Sequence, residues 1–189
     1  MQTYLALDIG GTHLRAACFE QTGIIPLAQI KTRTPTTQED PLSVLLPLLA
    51  GLIPPGSQPA GIALAIPGLV DQPNQRVGSA VNLPGWESVP LGAALQARFN
   101  CPVQIENDAR LACLGEARYG AGQGCLDLIY LTIGTGIAAG ILSQGVLLRG
   151  SRGMGSEAGH IVLDPDGPLC GCGQRGHLEA LASGPAIAR

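Results

Sequence analysis

Short apolar runs separated by glycine and proline dominate the first part of the chain. They predict strands at residues 3–9, 14–19 and 24–32. Gly10-Gly11-Thr12, which we call the first glycine turn, joins the first two of these runs. The pattern therefore predicts a three-stranded antiparallel meander whose first hairpin closes on glycine.

A helix is predicted to begin after Asp40, because an Asp cap followed by Pro41 at the first helical position is a favourable start. Pro47 lies inside that helix and is expected to kink or split it. The pattern continues with a strand at 61–66, a helix at 91–99, a strand at 103–106 and a helix at 109–118. This order of strands and helices indicates an α/β domain that is complete by residue 118.

The strand-turn-strand pattern appears a second time after the glycine-rich segment 119–124. Strands are predicted at 126–133, 137–142 and 146–148, and the first two are joined by Gly134-Thr135-Gly136, the second glycine turn. The repeat predicts two related domains, 1–118 and 119–189, each presenting a glycine turn to one cleft. A helix beginning near Leu178 is expected to run to the end of the chain.

Composition excludes several classes of protein. The 189 residues are 46% hydrophobic and 13% charged, and the net charge of −3 argues against nucleic-acid binding. No apolar run reaches the roughly 18 residues of a membrane span, and no export signal is recognisable, so we expect a cytoplasmic protein with reduced thiols. Four cysteines are predicted to be small core residues, namely Cys18, Cys101, Cys113 and Cys125.

The two glycine turns suit a nucleotide, since glycine lets backbone N–H groups approach phosphate oxygens closely and threonine adds a hydroxyl donor. Asp8, at the end of the first strand, could hold a hydrated Mg²⁺. A plain hairpin is the alternative for the first turn alone. The second copy of the pattern favours phosphate binding.

Glu106-Asn107-Asp108 ends a predicted strand and opens a predicted helix. Asn107 or Asp108 could simply cap that helix. A carboxylate at a helix N-terminus is also held ionised by the helix dipole, and an ionised Asp can accept a hydroxyl proton during phosphoryl transfer.

A group of metal-ligand residues follows in a loop rich in glycine and proline. The spacing of His160, Cys170, Cys172 and His177 suits tetrahedral Zn²⁺, although a lone His is more often structural. As a ligand, His160 would keep its second ring nitrogen for a substrate hydroxyl. The flanking Glu157 and Glu179 are not first choices as ligands.

These pieces together resemble the ROK family of bacterial sugar kinases and sugar-responsive repressors. The resemblance rests on Asp8-Ile9-Gly10-Gly11-Thr12, Ile66-Pro67-Gly68, Asn82-Leu83-Pro84-Gly85-Trp86, Glu106-Asn107-Asp108, Ile133-Gly134-Thr135-Gly136, Glu157-x-x-His160 and Cys170-x-Cys172-Gly173-x-x-Gly176-x-x-Glu179. It implies the actin-like, RNase H-like two-domain α/β fold.

The resemblance also implies a role for each matched residue. Asp108 is implied as the catalytic base. The implied sugar contacts are Gly68, Asn82, Asn107, Asp108, Glu157, His160 and Glu179. The implied contacts to ATP and its Mg²⁺ are Asp8, Gly10, Gly11, Thr12, Gly134, Thr135 and Gly136, and the implied zinc ligands are His160, Cys170, Cys172 and His177.

Three departures from the family pattern qualify these roles. His177 stands where Cys is commonest, and imidazole is an equally sound zinc ligand. Ser156 stands where Gly is usual. Family members continue beyond the equivalent of residue 189, so we expect an incomplete second domain that lacks the adenosine side of the ATP site.

The expected function is phosphorylation of a hexose, with glucose as the first choice and a homodimer as the expected assembly of the full-length protein. An N-acetylhexosamine or fructose kinase and a catalytically incomplete sugar-binding fragment remain alternatives, and the donor could be ATP or polyphosphate. A repressor is disfavoured because the first motif begins at Asp8, which leaves no room before it for a DNA-binding domain.

Overall fold

The computed structural model describes residues 2–35, 40–78, 80, 83–87 and 89–189. Asn82, one of the expected sugar contacts, lies outside the described residues. The chain divides into two compact units, Met1–Asp108 and Ala109–Arg189, which we call the first and second units. This division comes earlier than the domain boundary predicted after residue 118.

The first unit is built on a five-stranded sheet with the order β3-β2-β1-β4-β7. Its elements are β1 (Thr3–Ile9), β2 (His13–Glu20), β3 (Ala28–Arg33), α1 (Pro41–Leu52), β4 (Pro59–Ile66), β5 (Val70–Asp71), β6 (Arg76–Val77), α2 (Leu91–Phe99) and β7 (Val103–Asn107). Strands β1, β2 and β3 pair antiparallel, as predicted, and β4 pairs parallel with both β1 and β7. Strand β3 begins later than expected, at Ala28, and Ile24 and Ile25 before it are largely exposed, at 68% and 79%.

Helix α1 begins as its sequence predicts. The carboxylate of Asp40 accepts the backbone N–H groups of Leu42 and Ser43 at 3.1 and 3.2 Å, and Pro41 occupies the first helical position. The helix nevertheless runs unbroken through Pro47, so the expectation of a split is wrong. The buried side chains of Leu45 and Leu49 on either side of the proline hold the helix in the core.

One apolar cluster fills the first unit. Alternate residues of β1 and β4 are buried, and α1 and α2 contribute leucines to the same cluster. The outer edge of β7 is covered by glutamine side chains from the β5–β6 hairpin, which the sequence pattern did not predict. Gln72 Nε2 donates to the carbonyl of Ile105 at 2.9 Å, and Gln75 Oε1 accepts the Ile105 N–H at 2.6 Å. These bonds fix the strand that leads to Asp108.

The second unit contains a three-stranded sheet with the order β10-β9-β8. Its elements are α3 (Asp108–Tyr119, beginning on the last residue of the first unit), β8 (Leu128–Ile133), β9 (Ile137–Ser143), β10 (Val146–Leu147), the 3-10 turn Ala158–His160, α4 (Leu178–Ala182) and α5 (Gly184–Ile187). Helix α3 lies directly on Gly140 of β9, where an added Cβ would meet the Ala109 carbonyl at 2.5 Å. This close packing places α3 in the second unit and explains the earlier division.

The second unit differs from two expectations, the burial of one cysteine and the length of the C-terminal helix. Cys125 is exposed, whereas Cys18, Cys101 and Cys113 are buried as predicted. The C-terminal helix is interrupted at Ser183, which separates α4 from α5. The described helices include none that is long and apolar enough to cross a membrane.

Candidate functional site

The first glycine turn is held by bonds from the neighbouring strands. The Gly10 N–H donates to the carbonyl of His13 at 2.9 Å, and the Thr34 hydroxyl donates to the carbonyl of Gly10 at 2.5 Å. The Thr34 N–H donates to the carbonyl of Thr12 at 3.1 Å. Thr34 is buried, while Gly11 and Thr12 are exposed, so a fixed turn presents its tip to solvent.

Asp8 ends β1 beside this turn and pairs with Arg15 of β2, with 2.7 Å between Arg15 NH1 and Asp8 Oδ2. Both side chains are about half exposed, at 46% for Asp8 and 58% for Arg15. A carboxylate open to solvent suits a cation bound through water, which fits the Mg²⁺ role expected of Asp8.

The second glycine turn is held mainly by residues from the end of the chain. Its own closing bond runs from the Gly134 N–H to the carbonyl of Gly136 at 2.9 Å, and the Gly184 N–H donates to the Gly134 carbonyl at 2.8 Å. Glu179 Oε2 accepts the Ile137 N–H at 2.8 Å. An added Cβ on Gly136 would displace the Glu179 carboxylate from its present position, so glycine here allows the bond between Glu179 and Ile137. In this structure Glu179, an expected sugar contact, supports the turn that includes Thr135.

The parallel strands β4 and β7 end side by side, with Ile66 opposite Asn107. The Asn107 amide donates from Nδ2 to the carbonyl of Gly68 at 3.1 Å, and its backbone N–H donates to Glu106 Oε1 at 3.0 Å. Asn107 and Glu106 are buried, while Asp108 is half-buried at the first position of α3. The structure therefore brings the expected sugar contacts Gly68 and Asn107 together and places Asp108 at the N-terminus of α3.

Four potential metal ligands converge in the second unit. One ligand atom from each of His160, Cys170, Cys172 and His177 lies within 4.8 Å of all the others. The two Nδ1 atoms of the histidines are 3.3 Å apart, Cys172 Sγ is 3.2 Å from His177 Nδ1, and Cys170 Sγ is 3.9 Å from His160 Nδ1. Cys170 and His177 are buried, and burial raises the pKa of the Cys170 thiol. We call these four residues the metal cluster.

Three of the distances between ligand atoms are close to those of a tetrahedral zinc site. Bonds of about 2.0–2.1 Å to nitrogen and 2.3 Å to sulfur at tetrahedral angles separate two nitrogens by about 3.3–3.4 Å, and a nitrogen from a sulfur by about 3.5–3.6 Å. The observed N···N distance of 3.3 Å matches, and the two S···N distances of 3.2 and 3.9 Å bracket the expected one. His177 thus supplies a nitrogen at the place of the usual cysteine sulfur, and Nδ1 of His160 faces the cluster.

Comparison with known proteins decides the family. The model of the ROK family matches residues 4–189. The chain belongs to the ROK family. It is 37% identical over 186 residues to a glucokinase from Thermotoga maritima, covering 98% of this chain and 58% of that protein. It is also 37% identical over 190 residues to an N-acetylmannosamine kinase from Shigella boydii, covering 98% of this chain and 63% of that one.

A solved structure extends the likeness to three dimensions. A ROK glucokinase from Streptomyces griseus, determined in complex with glucose and AMPPNP, superposes with a TM-score of 0.80 at 37% identity, covering 99% of this chain and 59% of that one. The actin-like, RNase H-like α/β fold expected of a ROK protein is confirmed. The chain spans about 58% of the length of the glucokinase that it matches.

Reading the chain for ROK motifs missed one buried polar residue, Arg110. It stands two positions after Asp108 on α3 and is only 1% exposed. Its NH2 group lies 3.7 Å from Oε1 of Glu157, an expected sugar contact that precedes the 3-10 turn ending at His160. The sequence feature that could have identified Arg110 is its place between Ala109 and Cys113, on the helix face that packs against the sheet.

Proposed function

We propose that the protein carrying this chain transfers the γ-phosphoryl group of ATP to a hydroxyl of a hexose, and that the hexose is glucose. The observation that carries the proposal is the strand end at Asn107, where the Gly68 carbonyl holds the asparagine beside Asp108. An amide and a half-buried carboxylate at a helix N-terminus suit a sugar hydroxyl that must be gripped and deprotonated. Membership of the ROK family supports the same reaction.

Asp108 acts as the general base in this proposal. As the hydroxyl oxygen of the sugar bonds to the γ-phosphorus, the bond from that phosphorus to its bridging oxygen breaks, ADP leaves, and the hydroxyl proton passes to the Asp108 carboxylate. Asn107 fixes the orientation of the hydroxyl, and Glu157 and His160 bind further hydroxyls of the ring. The backbone N–H groups of the two glycine turns are the candidate donors to the ATP phosphates.

Two cations are part of the proposal. Mg²⁺, for which Asp8 is the candidate ligand, supplies positive charge to the phosphate oxygens when it is bound. Zinc in the metal cluster has a structural task, because it ties the loop between Cys170 and His177 to the 3-10 turn at His160. With Nδ1 of His160 directed to the cluster, its Nε2 is left for the sugar.

The alternative with specific support is an N-acetylhexosamine kinase, because an N-acetylmannosamine kinase matches this chain at the same 37% identity as a glucokinase. The two substrates differ at carbon 2, where glucose carries a hydroxyl and N-acetylmannosamine an acetamido group. Selectivity therefore depends on the pocket around that carbon.

A substrate panel tests the proposal. Formation of the sugar phosphate is measured with glucose, N-acetylmannosamine and fructose, each with ATP or polyphosphate as donor. We expect the largest kcat/KM for glucose with ATP. A larger value for N-acetylmannosamine would favour the alternative, and hexose binding without transfer from either donor would reduce the function to sugar binding.

A further inference from the structure

The second unit contains a buried positive charge that the proposed chemistry does not use. Arg110 is 1% exposed, and burying a guanidinium is costly unless hydrogen bonds and negative charge compensate it. The hydrogen-bond partners of this guanidinium show which segment of the chain it holds in place.

Hydrogen bonds join Arg110 to residues 149–157, which we call the Glu157 loop. Arg110 NH2 donates to the carbonyls of Gly153 and Gly155 at 2.7 and 2.5 Å, and it lies 3.7 Å from Glu157 Oε1. A charged donor makes stronger hydrogen bonds than a neutral one, so these contacts tie the loop firmly to α3. Glu157 itself is 38% exposed, which leaves part of its carboxylate available to a ligand.

The Glu157 loop has a backbone that needs such support. Gly150, Gly153 and Ser156 have φ values of 70°, 69° and 70°, and the left-handed region is unfavourable for a residue such as serine. Gly155 packs so closely on the preceding turn that an added Cβ would lie 2.7 Å from the Arg149 carbonyl carbon. The conformation that ends at Glu157 is therefore held by tertiary contacts rather than by local preference.

Arg110 can provide this support because its own position is fixed. Helix α3 lies on Gly140 of β9, where an added Cβ would stand 3.0 Å from Arg110 Cα and 2.5 Å from the Ala109 carbonyl. The helix therefore cannot shift away from Gly140 without losing this packing. The loop carbonyls are attached to a rigid support.

We propose that Arg110 is a positioning residue for hexose binding, which it serves by holding the Glu157 loop so that the Glu157 carboxylate stays oriented for the sugar. The inference rests on the proposed function, since it assigns the sugar contact to Glu157. Arg110 touches neither the sugar nor the phosphates in this scheme and acts through the loop.

The first test measures the loop without any sugar. Arg149 and Arg152 are trypsin sites inside the Glu157 loop, so the rate of cleavage after them reports how firmly the loop is held. Arg110→Gln should accelerate both cuts, and Arg118→Gln, at an exposed arginine of the same helix, should not. Unchanged cleavage in Arg110→Gln would overturn the inference.

The second test measures sugar affinity by calorimetry in a double-mutant cycle. Arg110→Gln should weaken glucose binding about 10- to 100-fold, the range expected when hydrogen bonds to a charged group are lost. Arg110→Lys, which keeps the charge but not the planar fork, should lose less, and it replaces Arg110→Gln if that variant does not fold. If Arg110 acts through Glu157, Arg110→Gln combined with Glu157→Gln should bind no more weakly than the weaker single variant.

The outcomes separate the inference from the proposed function. Additive losses in the cycle, or an Arg110→Gln affinity equal to that of Arg118→Gln, would overturn the positioning role while leaving hexose binding intact. A wild-type protein that binds no hexose would refute the proposed function, and the trypsin result would then decide the structural half of the inference on its own.

Discussion

The two units of this ROK protein are ordered by different means. In the first unit an apolar cluster extends through β1, β4, β7, α1 and α2. In the second, as far as the described residues show, the fully buried part of the main cluster is Cys113, Leu142 and Leu147. Order there comes instead from the hydrogen bonds of the buried Arg110 and of Glu179, and we propose that a metal bound at the metal cluster adds to it.

The difference shows how the candidate chemistry is supported. Asn107 is the last residue of β7, Asp108 is the next residue, and β7 packs into an apolar core, so their backbone is fixed by packing. Glu157 and the short 3-10 turn that ends at His160 adjoin glycine-rich loops, which bury little apolar area. Their positions depend on two ties, the hydrogen bonds of Arg110 and, in our proposal, a metal bound at the metal cluster. Loss of those ties should therefore affect the second unit and leave the first folded.

The largest expected effect comes from removing the metal ligands. Cys170→Ser with Cys172→Ser removes two of the four expected ligands and should abolish zinc binding. The loss of stability should be large, because structural zinc sites in small domains contribute about 10–16 kcal/mol of apparent binding free energy. Metal analysis should find zinc in the wild type and in Cys125→Ser but none in the double variant. Hydrogen exchange should then show lost protection in residues 158–182 and unchanged protection in β1 and β4. Zinc retained in the double variant would refute the assignment.

A large effect on turnover, without a loss of stability, is expected at Asp108. Asp108→Asn keeps the shape of the side chain and removes the proton acceptor, so kcat should fall about 10²- to 10⁴-fold while glucose affinity and melting temperature stay close to wild type. Steady-state kinetics with ATP and glucose, on the protein that carries this chain together with a complete ATP site, check this. Near-normal turnover would exclude Asp108 as the base.

A moderate effect on the free energy of unfolding should distinguish a buried apolar residue of the first unit from an exposed one of the second. Leu64→Ala, in the fully buried part of β4, should lower the free energy of unfolding by about 2–5 kcal/mol. Ile129→Ala, on the β8 face where Ile129 is 65% exposed, should change it by no more than about 0.5 kcal/mol. Denaturant unfolding of both variants measures the contrast, and a comparable loss at Ile129 would mean that this face is covered in solution.

The exposed face of β8 also carries a prediction about association. Ile129, Leu131 and Ile133 are 65%, 49% and 59% exposed on the same side of the outer strand, and such a patch favours self-association. Sedimentation of the 189-residue chain should show oligomers, which Ile129→Thr with Leu131→Thr should reduce. A wild-type chain that stays monomeric at high concentration would contradict this.

The smallest effect concerns the rates of thiol alkylation. Burial raises the pKa of Cys18 and Cys113, so in the zinc-loaded protein both should react slowly with iodoacetamide at pH 8, while the exposed Cys125 reacts first. Chelation of zinc should accelerate Cys113, in the second unit, more than Cys18, in the first. Peptide mass spectrometry measures the alkylation rate of each cysteine. Equal acceleration of Cys18 and Cys113 would contradict the claim that zinc stabilises only the second unit.

Periodicity predicted most elements of the first unit because a large core enforces the pattern of buried positions. Helix α2 and strand β1 match their predicted bounds, and the Asp40 cap is formed. Periodicity failed where side chains rather than apolar spacing decide the structure. The β5–β6 hairpin, which supplies Gln72 and Gln75 to the edge of β7, has no pattern of its own at this length.

The sequence predicted those parts of the candidate site in which the residue type itself indicates the ligand, such as His and Cys for a metal. The convergence of the metal cluster follows from His and Cys spacing. The bond from Ile137 to Glu179 and the bonds from Arg110 to Gly153 and Gly155, by contrast, join residues far apart in the chain. Such tertiary pairs leave no local signal, because a buried arginine and a surface arginine look the same in sequence.

The central claim is that residues held in place by zinc recognise the hexose. Its most direct test is a calorimetric titration of glucose into zinc-loaded and zinc-stripped protein, with Asp108→Asn as a second zinc-loaded sample. We expect both zinc-loaded proteins to bind glucose with similar affinity, and the stripped protein to bind it at least about 10-fold more weakly, as is typical when the support of a site is removed. Equal affinity with and without zinc, or no binding by the zinc-loaded wild type, would contradict this account of the site.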